Sequence, residues 1–138
     1  MFKELVFTNE GISKVIAQLS LMKSARLSIV TENQNALNKA EKLANLISAT
    51  LTTEPDFHIE KYEKFENSYK LDFVIRFEGL QSSIIESIEK TDRLCSPWNV
   101  RLNRSQNEIE LTFNKSANAT FSKNEFNVIV WANWAVNE

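Results

Sequence analysis

Glycine is almost missing from this chain: Gly11 and Gly79 are the only two in 138 residues, beside two prolines, one cysteine and one histidine. Each scarcity removes a class of chemistry. A P-loop or a dinucleotide fingerprint needs several glycines where the backbone approaches phosphates, so neither motif can be written here. With His58 alone, sites built on two imidazoles are excluded, among them an HExxH helix and a paired-histidine nuclease. Cys95 alone cannot close an intrachain disulfide, which points to a reducing, cytoplasmic setting. No metal site and no cofactor is expected.

Long apolar runs are missing too. The longest candidate, Phe126 to Val136, is broken by Asn127 and Asn133 and falls well short of the roughly 18 residues of a membrane span. Met1 to Phe7 carries a Lys3-Glu4 pair and no small-residue cleavage site follows it, so a signal peptide is not expected. The glycosylation-type tripeptides at Asn103, Asn114 and Asn118 are then chance in an asparagine-rich chain.

What is present suits one soluble domain over residues 1–138: 43% of the residues are apolar and 25% charged. The formal net charge is −2, and Lys and Arg are scattered among Asp and Glu. That pattern argues against a nucleic-acid partner and against an anionic membrane surface.

Periodicity divides the chain into alternating helices and strands. Phe2–Phe7 is a short strand candidate, and Ile12, Val15, Ile16 and Leu19 recur at helical spacing up to about Met22. Residues 26–31 alternate as a half-buried strand. Asn33 or Asn35 is the expected cap of a helix with Leu37, Ala40, Leu43, Ala44, Ile47 and Leu51 on its apolar face, ended by Pro55. Asp56–Phe65 and Tyr69–Phe77 form a hairpin around Glu66-Asn67-Ser68, with Leu71, Phe73, Ile75 and Phe77 facing inward. Leu80, Ile84, Ile85 and Ile88 mark a further helix ending near Cys95. A second hairpin then pairs residues 98–103 with 108–113, and residues 126–136 form a last strand with apolar residues on both faces.

The expected fold is therefore α+β: a mixed, mainly antiparallel sheet with helices packed on one face. Residues 26–103 have the ferredoxin-like βαββαβ order, with strands added at the C-terminal end. Such a sheet leaves one face for solvent, a ligand or a partner.

The reactive side chains point to little catalysis. His58, between Phe57 and Ile59, reads as an ordinary strand residue, although a lone histidine is able to serve as a base or to activate Cys95. Cys95 reads as a small buried apolar residue. A glycosidase-like acid pair needs one carboxyl in an apolar pocket, which the sequence cannot locate. An RNA-recognition strand would need outward aromatics, yet Phe73 and Phe77 share the face of Leu71 and Ile75. Two features suggest a contact surface. Glu60 and Tyr62 are placed to share a face with Asp72 across the first hairpin, and Trp131 falls on the other face of the last strand from Trp134.

The expected function is that of a non-catalytic, protein-binding inhibitor. The expected type is a bacterial immunity protein or antitoxin-like protein that neutralises a basic toxin, such as a nuclease, by occlusion. Glu60, Tyr62, Asp72 and Trp131 are its candidate partner-binding residues, and homo-oligomerisation stays open. The alternative is a small ligand-binding domain or enzyme with an apolar pocket between sheet and helices, containing His58 or an acid.

Overall fold

The computed structural model describes residues 24–103 and 108–137. In chain order they form β1 (Ser24–Thr31), α1 (Leu37–Thr50), β2 (Phe57–Lys61), β3 (Tyr69–Arg76), α2 (Ser83–Asp92), β4 (Cys95–Ser96), β5 (Asn99–Asn103), β6 (Glu108–Asn114), β7 (Thr120–Phe121), a 3-10 turn (Asn124–Val128) and β8 (Ile129–Asn137). The expected strand at 2–7 and the helical pattern up to Met22 lie outside the described residues.

Alternation in the sequence becomes a one-sided sheet. Six strands pair in the order β2-β3-β1-β8-β6-β5, all antiparallel, while β4 and β7 pair separately. One row shows how the core is built. Leu27 lies opposite Phe73 on one side and Trp134 on the other, and Trp134 lies opposite Leu111. All four are buried. Ala40, Leu43, Ala44, Ile47 and Leu51 from α1 and its C-cap join the same cluster. α1 lies against β2 and β3, and α2 against β6 and β8.

The class is thus α+β with an antiparallel main sheet. In a βαββαβ unit the strand after the second helix would lie beside the first strand. Here β8 holds that place, and β5 pairs with β6 at the far edge. A strand from the end of the chain therefore completes the centre of the sheet.

A β-bulge resolves the two-faced pattern of the last strand. Val30 pairs with Trp131 and Thr31 with Ile129, so Val130 is the extra residue. The insertion inverts the alternation: Ile129, Ala132, Trp134 and Val136 are buried, and Trp131 turns to the other face. Ahead of it, residues 124–128 wind into the 3-10 turn and do not extend the strand.

The helices differ from expectation at their caps and faces. Ala36 is the N-cap residue of α1 and supplies no side-chain bond; Asn33 instead takes up a left-handed conformation, φ 57°. α2 is turned over relative to its apolar pattern. Ile85 and Ile88 are exposed, while Glu86 and Lys90 are buried. Two polar demands explain this orientation. The Glu86 carboxylate accepts the Glu78 backbone N–H at 2.9 Å, and Lys90 Nζ donates to the Leu51 carbonyl at 2.9 Å. Leu51 is the C-cap of α1, where a cation complements the end of the helix dipole. Ser82 caps α2 itself by accepting the Ile85 N–H.

Candidate functional site

The sheet face away from the helices carries the remaining chemistry. Even-numbered residues of β1, β2 and β3 share it with Trp131, Asn133 and Ala135 of β8, because pairing partners point to the same side. Across the middle runs a polar row: His58 opposite Asp72, Asp72 opposite Ser28, Ser28 opposite Asn133, and Asn133 opposite Thr112. Ser28 Oγ donates to Asp72 Oδ1 at 2.6 Å, and Asn133 Nδ2 donates to Thr112 Oγ1 at 3.3 Å. A nucleophile triad needs the imidazole between hydroxyl and carboxylate. Here the carboxylate stands in the middle, and the row ties β1 to β3 through Ser28 and Asp72 and β8 to β6 through Asn133 and Thr112.

One strand step toward the end of the sheet, the polar ladder gives way to aromatics. Val30 lies between Lys70 and Trp131 in register, and Lys70 lies opposite Glu60. After Lys61 the chain leaves the sheet, and residues 62–68 turn back through Asn67 at φ 52°. Tyr62 N–H donates to the Ser68 carbonyl and closes the turn. The turn brings Phe65 beside Tyr62 with ring centroids 5.8 Å apart. Val30, Tyr62, Phe65, Lys70, Val130 and Trp131 line a shallow depression of about 490 Å3. Phe65 is 60% exposed, a large apolar side chain held out in water by an ordered turn. A neighbouring polar depression of about 520 Å3 is lined in part by Arg26, Ser28, Asp56, His58, Lys70 and Asp72.

The four residues singled out from the sequence thus lie on one face. Tyr62 and Trp131 line the aromatic depression, Glu60 is exposed in the adjoining strand, and Asp72 lines the polar depression. The acids are interleaved with cations: Lys70 Nζ lies 3.8 Å from Asp72 Oδ2, and Arg26 and His58 share the same depression. The face is therefore mixed in charge with an aromatic end. Phe65 escaped the sequence reading, because the expected strand to residue 65 gave it the inward parity of Phe57 and Ile59.

Other candidates lie apart. His58 is exposed on the open face, whereas Cys95 is buried in the core cluster, so the structure does not join them as a catalytic pair. Burial pushes the Cys95 thiol up to about 12, which keeps it protonated and unreactive. On β3 the outward side chains are Lys70, Asp72, Val74 and Arg76, with no ring for base stacking. Among the described residues no group of three or more His, Cys, Asp or Glu could hold a metal ion, and no helix is long and apolar enough to cross a membrane.

No protein-family model matches the chain, and no curated protein or solved structure matches it either.

Proposed function

We propose that this chain is a non-catalytic binding protein that occludes a protein partner through the open sheet face. One observation carries the proposal: Tyr62, Phe65 and Trp131 line one depression at the end of the sheet with Lys70, which lies opposite Glu60 and pairs with Asp72. Aromatics ringed by charged side chains are the usual make-up of a binding hot spot. The depression lies open on the surface and suits an anchoring side chain from a partner. His58 lies outside the core, away from the space between sheet and helices where an enclosed enzyme site was the alternative.

Within this class we favour a cytoplasmic bacterial immunity protein or antitoxin-like protein that neutralises a toxin such as a nuclease. Inhibition by steric block needs only a stable scaffold and a complementary face, and it uses no group whose absence excluded other chemistries. The mixed charge shifts the partner's expected character from simply basic to one with both an apolar anchor and paired charges.

The test is capture of the partner from the native host with tagged chain, followed by expression of that partner alone and together with this chain. Toxicity of the partner alone, relieved by the wild-type chain and not by Trp131→Ala, supports the proposal. A harmless partner, or capture of none, overturns the inhibitor reading.

A further inference from the structure

The two edges of the main sheet are finished differently. At one edge β2 comes just after Pro55 and carries His58, Glu60 and Lys61, the proline and charges that commonly blunt an unpaired strand. At the other edge β5 has no proline, no glycine and no bulge against β6, and its one charge, Arg101, lies 3.8 Å from Glu110 of β6. All five residues of β5 are exposed, and no described strand pairs with its free side. Its inner face is apolar: Val100 and Leu102 lie opposite the buried Leu111 and Ile109, yet are 53% and 39% exposed. Unpaired backbone groups beside uncovered apolar side chains are what recruits a further strand.

The sequence of this edge fits a second copy of itself. Antiparallel partners share a face, so a two-fold axis between two copies of β5 brings one residue opposite its own counterpart. An axis at Arg101 would oppose two guanidinium groups, and one at Asn99 would set Arg101 against Pro97, which has no N–H to pair. An axis at Leu102 or Asn103 would leave Val100 without a partner inside the strand. An axis at Val100 avoids all three faults. It sets Val100 against Val100, Leu102 against Trp98, and Arg101 against Asn99, so apolar meets apolar on the inner face, polar meets polar on the outer, and no like charges are opposed. Trp98 lies on the inner side, its ring centroid 5.7 Å from that of the buried Phe113. We infer that two copies of this chain pair antiparallel through β5, with Val100 at the two-fold axis, and join their main sheets into one continuous sheet. β5 lines neither depression of the open face, so the partner-binding proposal does not depend on this pairing.

The test is sedimentation of the full-length chain from about 5 to about 500 µM, where the mass should rise from 15.9 kDa toward twice that value, since one strand pair is a small interface and associates weakly. Val100→Lys sets two ammonium groups at the axis, on a position already half exposed. It should hold the chain monomeric across the whole range with its circular dichroism unchanged. The register has its own readout. With Cys95→Ala in place, Val100→Cys should form a disulfide-linked dimer under mild oxidation at least about tenfold faster than Arg101→Cys, because only position 100 faces its own copy. A wild-type chain that stays monomeric throughout would overturn the inference. So would a dimer that survives Val100→Lys, or one that Arg101→Cys links as fast as Val100→Cys.

Discussion

Trp131 and Trp134 stand three residues apart in β8 and face opposite sides of the sheet: Trp134 is fully buried among Leu27, Phe77 and Leu111, and Trp131 lines the aromatic depression on the open face. One strand thus supplies both the centre of the core and the anchor of the candidate surface.

Substituting each tryptophan separates the two roles. Trp134→Ala should cost about 3–5 kcal/mol of stability, the usual penalty for emptying a buried aromatic site. Trp131→Ala should cost about 1 kcal/mol or less, yet weaken partner binding by about 2 kcal/mol or more, as hot-spot aromatics do. Denaturant melts and binding titrations of the two variants give both numbers.

Charge on the open face should act on association rate. The Glu60 side chain is exposed, whereas Asp72 accepts the Ser28 hydroxyl and is one third exposed. Glu60→Lys with Asp72→Asn should slow association and reduce its salt dependence, with dissociation little changed. Stopped-flow kinetics at two ionic strengths measures this; unchanged association would place the contact elsewhere. Asp72→Asn should itself cost no more than about 1 kcal/mol of stability, because its ion pair with Lys70 is long and both partners are one third exposed.

Lys90 should be worth more than its place on an outward-looking helix pattern suggests. It is 2% exposed, donates to the Leu51 carbonyl and lies 3.6 Å from Glu78. Lys90→Met keeps the length of the side chain but removes this hydrogen bond and leaves the carbonyl with the Thr52 hydroxyl as its donor, at a cost of about 1 kcal/mol. Equilibrium unfolding of the variant checks it, and a neutral result would mean that the Thr52 hydroxyl alone satisfies the carbonyl.

Cys95 should confer an alkaline sensitivity. Desolvation by burial raises its pKa from 9.0 to about 12. The folded chain therefore favours the neutral thiol. The contribution is fully present below the unfolded value and is lost as pH rises from that value through the folded one. Comparing denaturant midpoints at about pH 8 and about pH 11, the loss should be smaller in Cys95→Ala than in the wild type. In the native protein near pH 8 the thiol should resist alkylation and react only on unfolding.

Much of this architecture is legible in the residues, and what is not has identifiable causes. The alternation of Leu71, Phe73 and Ile75, and of Ile109, Leu111 and Phe113, announces β3 and β6 because one-sided burial imposes a period of two. The same rule fails in β8, where the extra residue Val130 inverts the parity and makes one strand look two-faced. It fails again in α2, since the apolar pattern of Ile84, Ile85 and Ile88 cannot reveal that a carbonyl at Leu51 and an N–H at Glu78 hold Lys90 and Glu86 inward. The place of β8 beside β1 is a pairing between residues a hundred positions apart in sequence, which no local window contains. For the site, the shared face of Glu60 and Asp72 follows from strand parity, but the meeting of Phe65 with Tyr62 and Trp131 depends on the 62–68 turn and the bulge together.

The central claim is that the open sheet face is where a partner binds. Hydroxyl-radical footprinting of the free chain and of the captured complex tests it most directly, since it reads side-chain exposure without substituting any residue. Tyr62, Phe65 and Trp131 should lose most of their oxidation in the complex, with Phe65 changing most because it is the most exposed of the three in the free chain. Oxidation of all three at the rate of the free chain, with protection appearing on another surface, would contradict the account.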